Sequence, residues 1–172
     1  GEFRLINNVK KQSISFKLVN NLIVFQMDVN GRELNFILDS GVGSTILFNL
    51  DKEDSSMLNN VKKVKLKGLG SEDPVDGFLS DGNEFRFNNM VGTHQNLYVL
   101  TNDSFDLSSK LGITVHGIIG YEILKDLVVK ISYGLEKITF YNELDTKAKK
   151  CKKCESFDLE FFKSKPYVNV QV

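Results

Sequence analysis

A carboxylate, a hydroxyl and a glycine follow directly on an apolar run near residue 39. Residues 36 to 41 read Phe-Ile-Leu-Asp-Ser-Gly. An acid at the end of a buried strand is costly to desolvate unless hydrogen bonds hold it or chemistry uses it. The hydroxyl of Ser40 can orient a neighbouring strand, and Gly41 lets backbone N–H groups approach the carboxylate with no side chain in the way. The pattern predicts a site built to hold Asp39.

A second motif lies in residues 117 to 133, which read GIIGYEILKDLVVKISY. It has two apolar residues and a glycine, then a predicted short helix, then an apolar strand. With the run FILDSGVGSTIL at 36–47, it resembles a lobe of the retropepsin-like and pepsin-like aspartic proteases, including the bacterial-type aspartyl proteases. Their signature is two apolar residues followed by Asp, then Thr or Ser, and then Gly. The resemblance implies that Asp39 is catalytic and that Gly120 leaves room for its loop.

The elements that must position these residues are predicted to be short strands separated by turns. Alternating apolar residues predict strands at 23–29 and 34–38, and the intervening Asn30-Gly31 is the strongest short hairpin signal. This hairpin delivers Asp39 to the end of a central strand. The remaining pattern predicts strands at 63–67, 84–88, 97–99, 127–131 and 137–141, and short helices at 107–111 and 121–126. The fold class is all-β, and the resemblance implies a closed or partly open acid-protease-like β-barrel lobe with one or two short helices.

The length of 172 residues favours one domain, and the resemblance covers residues 14–142. We expect 143–172 to be a connector and the start of a following, missing unit. Two patterns support this expectation: apolar residues alternate from Phe157 to Phe161, and a fresh strand begins at Lys165. The chain opens without Met and closes inside an alternating run, so we expect it to be a segment of a longer protein.

Charge and composition exclude some partners. The chain has 22 Lys and Arg residues against 22 Asp and Glu residues, so it has no general electrostatic footprint for nucleic acid or an anionic membrane. No apolar run approaches the roughly 18 residues that span a bilayer. No cofactor is expected. The pair Cys151 and Cys154 is half of a zinc site without a suitable histidine, so we expect no metal. A local disulfide and two free thiols remain equally open. The cellular location also stays open, with a slight preference for the periplasm or cell envelope.

An aspartic protease needs two carboxylates, within about 3 Å of each other, that share one proton. This chain has one Asp-Ser-Gly: Asp54-Ser55 and Asp103-Ser104 lack the glycine. The second carboxylate must therefore come from an identical chain across a twofold axis, or from a downstream lobe of the same polypeptide. Both sources remain open, and the expected substrate is a peptide or protein.

The resemblance also implies a flap, which is a hairpin that closes over the bound peptide. The segment GLGSEDPVDGF at 68–78 has the right place in chain order, although it could be an ordinary polar hairpin loop. The predicted substrate contacts are one cleft residue and four flap residues: Gly43, Gly68, Leu69, Gly70 and Ser71. The residues expected to support the catalytic loop are Ser40, Gly41 and Gly120.

Two other functions stay open. A lobe with one aspartate could be a non-catalytic peptide-binding or assembly module that uses the same cleft without an aspartate pair. A small-ligand β-barrel binder would use the aromatic-rich strands as a cavity lining. This last interpretation leaves the two motifs around Asp39 and Gly120 unexplained.

Overall fold

The computed structural model describes residues 1–66, 74–101, 107–142 and 154–170. The strands are β1 (Glu2–Leu5), β2 (Lys11–Val19), β3 (Leu22–Val29), β4 (Arg32–Leu38), β5 (Thr45–Leu47), β6 (Lys62–Leu66), β7 (Val75–Phe87), β8 (Met90–Leu100), β9 (Gly117–Ile119), β10 (Val128–Ser132), β11 (Lys137–Tyr141), β12 (Glu160–Phe162) and β13 (Lys165–Tyr167). The helices are α1 (Lys52–Ser56), α2 (Leu107–Leu111) and α3 (Tyr121–Leu124), with a 3-10 turn at Tyr133–Leu135.

The prediction of an all-β fold with short helices is confirmed. Helices α2 and α3 lie where the sequence predicted helix, and β10 pairs with β11 as the predicted closing hairpin. Helix α1 was not predicted. Its sequence, Lys-Glu-Asp-Ser-Ser, has no apolar residue, so it carries none of the periodicity by which a helix is recognised.

The predicted hairpin that leads to Asp39 is also confirmed. Strands β3 and β4 pair antiparallel with Val29 opposite Arg32, so Asn30 and Gly31 form a two-residue turn. Their φ angles are 49° and 91°, as the primed turns of tight hairpins require. The turn is closed by Asp28, whose Oδ1 accepts a hydrogen bond of 2.8 Å from the Gly31 N–H.

Strands β1 to β11 form one 11-stranded sheet in the order β10-β11-β2-β3-β4-β9-β5-β8-β7-β6, with β1 paired to β8. Strand β3 also pairs with β7, at Asp28 with Arg86 and at Val29 with Phe85. The pairings therefore run in a ring through β3, β4, β9, β5, β8 and β7. Strands β12 and β13 form a separate two-stranded sheet.

Strand β4 is buried on both faces. Phe36 is fully buried in the main core, where its ring lies 5.8 Å from that of Phe85 and 6.4 Å from that of Phe25. Ile37 points to a second apolar cluster with Phe48. A strand covered on both faces reads as a continuous apolar run, as Phe-Ile-Leu does. Two cores therefore fix the end of β4, from which Asp39 projects.

The core extends to the beginning of the chain. Strand β1 precedes residue 14, where the resemblance begins, and Phe3 is buried with its ring 6.0 Å from that of Phe85. At the other end, Cys154 is disulfide-bonded. Of the two alternatives for this cysteine, the structure therefore has the disulfide. Residues 143–153 lie outside the described part of the chain, and the domain boundaries stay predictions.

Candidate active site

The loop at 39–44 crosses the end of β9. This strand lies between β4, with which it is parallel, and β5, with which it is antiparallel. The chain must therefore pass over β9 to run from β4 to β5. At the crossing, the Asp39 N–H donates a hydrogen bond of 3.0 Å to the carbonyl oxygen of Ile119. The candidate acid thus lies where three strands meet.

Backbone hydrogen bonds hold the loop in a tight turn. The Val42 N–H donates to the carbonyl oxygen of Asp39 at 3.1 Å, and the Tyr121 N–H donates to that of Val42 at 3.0 Å. The Gly41 N–H donates to Oδ1 of Asp39 at 2.8 Å. A Cβ atom on Gly41 would lie only 3.1 Å from the same oxygen, so glycine at this position keeps the carboxylate accessible. Sequence reasoning had not identified Val42 and Tyr121 as anchors of the loop, because backbone bonds leave no trace in residue type.

The glycines of the Gly-Ile-Ile-Gly motif make the crossing sterically possible. A Cβ atom on Gly120 would overlap the carbonyl oxygen of Asp39 and would lie 2.9 Å from Cγ1 of Val42. A Cβ atom on Gly117 would lie 2.6 Å from the carbonyl oxygen of Ile46. The structure therefore brings Gly120 against Asp39, and close approach of the backbone is the reason for glycine there.

Asp39, Ser40 and Gly41 are all exposed to solvent. No other residue in the described part of the chain hydrogen-bonds to the Ser40 hydroxyl. The carboxylate and the hydroxyl thus stand on a rigid loop and face outward. This arrangement can present the Asp39 carboxylate to a ligand or to another protein surface.

His116, directly before β9, joins β4 to the residue that follows β5. Its ring Nδ1 accepts a hydrogen bond of 2.9 Å from the backbone N–H of Asn35. The backbone N–H of His116 donates to the carbonyl oxygen of Asn35 at 2.8 Å. The carbonyl oxygen of His116 accepts from the Phe48 N–H at 2.8 Å. A ring nitrogen that accepts from a backbone N–H is unprotonated. His116 therefore links Asn35 of β4 to Phe48, which follows β5.

Helix α3 begins directly after Gly120, and a charged cluster at its end is hydrogen-bonded to β1. Lys125 Nζ lies 2.9 Å from Oδ2 of Asp126 and 3.7 Å from Oε2 of Glu122. Oδ2 of Asp126 also accepts a hydrogen bond of 2.9 Å from the Phe3 N–H. Burial acts to lower the pKa of Lys125, but its hydrogen bond and attraction to Asp126, with attraction to Glu122, raise the pKa above 10.5.

The predicted flap has its supporting strands in place. Strands β6 and β7 pair antiparallel from Lys62 opposite Leu79 to Leu66 opposite Val75. The residues predicted to contact substrate at its tip lie at 67–73, outside the described part of the chain. These are Gly68, Leu69, Gly70 and Ser71.

A buried polar network at the base of this hairpin was missed from the sequence. Nδ2 of the fully buried Asn83 donates to Oγ of Ser80 at 2.9 Å and to the carbonyl oxygen of Gln95 at 3.2 Å. Its Oδ1 accepts from Nδ2 of Asn30 at 2.8 Å. The register between β7 and β8 shifts around Asn83. A glycine inside a strand pattern, Gly82, was the sequence signal that could have indicated this bulge. In the structure its φ angle is 74°.

Gly43, the predicted cleft residue, faces the turn between β12 and β13. A Cβ atom on Gly43 would lie 3.3 Å from Cβ of Ser164 and 3.5 Å from the carbonyl oxygen of Lys163. The ring of Tyr121 lies 6.0 Å from that of Phe161 in the same hairpin. The sequence had no feature that placed residues 160–167 beside the loop.

The described residues contain no group of three or more His, Cys, Asp or Glu side chains that could hold a metal ion. Among the helices in this part of the chain, none has both the length and the apolar character needed to span a membrane.

A family model described as aspartyl protease matches residues 25–123. No curated protein matches the sequence. A solved structure of a retropepsin-like aspartic protease from Rickettsia conorii is similar with a TM-score of 0.51 at 12% identity, covering 82% of this chain and 94% of that one. EIAV protease complexed with the inhibitor HBY-793 is 20% identical over 60% of this chain and 85% of that one, with a TM-score of 0.38, too low to support a conclusion on fold.

Proposed function

Because the chain belongs to the aspartyl protease family, we propose that it hydrolyses peptide bonds with Asp39 as one of two catalytic carboxylates. The observation that carries this proposal is the position of Asp39 at the crossing of the β4–β5 loop over β9. There the carboxylate is exposed, yet backbone hydrogen bonds hold its residue on both sides. An exposed acid on a rigid support is suited to act on a ligand, because the support fixes the position of the carboxylate.

The second carboxylate comes from a second copy of the chain in this proposal. A twofold axis close to Asp39 would bring the two Asp-Ser-Gly loops together, and each copy would supply the same surface. The outward-facing Ser40 hydroxyl, with no hydrogen-bond partner among the described residues, would then bond to the opposite loop. The likeness to the Rickettsia conorii chain supports this choice because it extends over 94% of that chain, so a retropepsin-like protease chain can be about one lobe long. A downstream lobe of the same polypeptide is the competing source.

The two carboxylates would share one proton, because like charges about 3 Å apart do not both ionise. The ionised carboxylate would take a proton from a water molecule, which then attacks the scissile carbonyl carbon. The protonated carboxylate would donate its proton to the carbonyl oxygen. Collapse of the tetrahedral intermediate, with proton transfer to the leaving nitrogen, completes hydrolysis without a covalent enzyme intermediate.

The remaining site residues have supporting roles in this proposal. Gly41 keeps side-chain atoms away from Oδ1 of Asp39, and Gly120 gives the loop room. Gly43 would contact the backbone of the substrate. The flap residues Gly68, Leu69, Gly70 and Ser71 would cover the substrate from the other side and exclude water.

The decisive experiment replaces Asp39 by Asn, which keeps the size of the side chain but cannot accept a proton from water. We expect D39N to lower the rate of cleavage of a fluorescein-labelled casein by at least about 10³-fold while the circular dichroism spectrum is unchanged. Asp81→Asn is the matched control, since Asp81 also precedes a glycine but makes surface contacts, a 2.8 Å hydrogen bond from Nδ2 of Asn60 and an ion pair with Lys62. Cleavage by D39N at the wild-type rate would disprove the catalytic role.

The source of the second carboxylate is tested by dilution. If a second copy supplies it, specific activity should fall steeply below the dimer dissociation constant, and the sedimentation coefficient should fall over the same concentration range. Mixing D39N with wild-type protein should also reduce activity, because mixed dimers contain one carboxylate. Activity that stays constant in a monomer would rule out the homodimer.

A further inference from the structure

We propose that the β12–β13 hairpin competes in cis with peptide substrate for the surface formed by Gly43 and Tyr121, hereafter the Gly43–Tyr121 shelf. The inference rests on the proposed function, because it assigns an occupant to one side of the Asp39 loop. The hairpin belongs to residues 154–170 and so lies outside the matched family region at 25–123. Among the described strands, β12 and β13 pair only with each other and do not join the main sheet.

The first contact is made by the turn of the hairpin. Lys163 and Ser164 have φ angles of 49° and 61°, as the central residues of a tight two-residue turn do. The carbonyl oxygen of Lys163 and Cβ of Ser164 lie against Gly43, 3.5 and 3.3 Å from the position that a Cβ atom on Gly43 would have. A peptide backbone therefore already lies on the residue predicted to contact the backbone of a substrate.

The second contact is aromatic. The ring of Phe161 lies edge-on to that of Tyr121, with a centroid distance of 6.0 Å and an interplanar angle of 61°. Tyr121 follows Gly120 directly, and its N–H is bonded to Val42 in the catalytic loop. An aromatic side chain bound at Tyr121 is thus bound to the same rigid unit that carries Asp39. The shelf accordingly recognises a short peptide turn or strand that presents an aromatic side chain.

The hairpin is held weakly enough to be displaced. Phe161 remains 59% exposed and Phe162 is 63% exposed, so the hairpin is laid on the surface and not built into a core. Each of its strands has three residues, and isolated two-stranded hairpins are marginally stable in water. One aromatic pair accounts for a factor of about two to ten in an equilibrium constant. Competition by the hairpin should therefore weaken substrate binding by about this factor.

The activity experiment compares Phe161→Ala with Phe162→Ala. The two residues are neighbours with similar exposure, but Phe162 contacts Lys163 of its own turn, and its ring is not the one paired with Tyr121. In cleavage of labelled casein, F161A should lower KM about two- to tenfold with kcat unchanged, whereas F162A should stay near the wild-type KM. An unchanged or raised KM in F161A would overturn the proposal.

A binding experiment without catalysis separates this inference from the proposed function. The probe is a fluorescein-labelled peptide of residues 158–169, and the protein carries Asp39→Asn throughout. Anisotropy titrations should give a Kd about two- to tenfold lower for D39N/F161A than for D39N, with D39N/F162A equal to D39N. Equal affinity for all three proteins would overturn the competition, whether or not the wild-type protein is a protease.

Sedimentation of the same variants tests the other possible use of the exposed aromatic residues. A hairpin that acts as a cis competitor should leave self-association unchanged in F161A. If F161A instead dissociates dimers in the concentration range where wild-type protein is dimeric, the hairpin is part of the interface between copies, and the competition proposal is wrong.

Discussion

The Asp39 loop and the turn of the β12–β13 hairpin are both tight connections between strands, yet they are anchored in opposite ways. The loop follows a strand buried in two cores and is tied by backbone bonds to Ile119 and Tyr121. The contacts of the hairpin with the rest of the molecule include its turn at Gly43 and the ring of Phe161 on Tyr121, and Phe161 and Phe162 both stay more than half exposed. A catalytic group needs the first kind of support, since a displacement of about 1 Å can cost 10²-fold in rate. A displaceable element needs the second kind.

The sharpest way to test this contrast is to delete one phenyl ring from each region. Phe36→Ala leaves a cavity among Phe25 and Phe85 and should lower the free energy of unfolding by about 3–5 kcal/mol. Phe161→Ala removes a half-exposed ring and should change it by less than about 0.5 kcal/mol. Urea denaturation followed by circular dichroism measures both. Comparable losses in the two variants would mean that the hairpin is an integral part of the fold.

A smaller effect is expected where the loop crosses β9. Gly120→Ala places a methyl group against the carbonyl oxygen of Asp39, which is backbone and cannot rotate away. We expect a loss of about 3 kcal/mol in stability, with displacement of the Asp39 loop and at least 10²-fold lower kcat. Gly134→Ala is the matched control, because no atom lies within 4 Å of a Cβ at that position. An active, stable G120A protein would show that the crossing is less tight than the structure has it.

Removal of the buried polar network at the base of the β6–β7 hairpin should cost less stability than either of these changes. Asn83→Ala leaves the Asn30 amide and the Ser80 hydroxyl with one partner fewer in a buried site, so we expect a loss of about 2 kcal/mol. Asn169→Ala, which removes an exposed hydrogen bond to Glu160, should be nearly neutral. Hydrogen exchange should also show faster opening of β7 in N83A. Unchanged exchange in β7 would mean that the network does not anchor the β6–β7 hairpin.

The smallest predicted effect is the pH dependence contributed by Lys125. Its pKa is raised in the folded protein, so its ion pairs stabilise fully below the unfolded pKa of about 10.4 and are lost as pH rises through the folded pKa. Urea midpoints measured from pH 8 to 11.5 should therefore fall above about pH 10. The corresponding loss in the free energy of unfolding should be less than about 1 kcal/mol. Lys125→Met should flatten this slope, and Lys62→Met, at a 69% exposed side chain, should keep it. A slope unchanged in K125M would assign the pH dependence to other groups.

Much of the main sheet was predictable because its signals are local. The Asn30-Gly31 turn, the apolar run before Asp39 and the alternation in β7 and β8 each depend on residues within one element. Strands β1, β2 and β5 and helix α1 escaped prediction. Strands β1 and β5 have only four and three residues, and α1 has no apolar face, whereas β2 was missed although its apolar residues alternate. The β7 bulge escaped as well, because a register shift is defined by the partner strand and not by the strand itself.

By itself the sequence determined that an acid ends a buried strand and that a Gly-Ile-Ile-Gly motif follows later in the chain, because apolar runs and glycines can be identified from residue type. Only the tertiary structure decided that β9 lies between β4 and β5, which brings Gly120 under the carbonyl of Asp39. The contact between Phe161 and Tyr121, which are 40 positions apart, was likewise decided only by the tertiary structure. Contacts between distant segments depend on the packing of whole elements, so neither residue type nor periodicity encodes them.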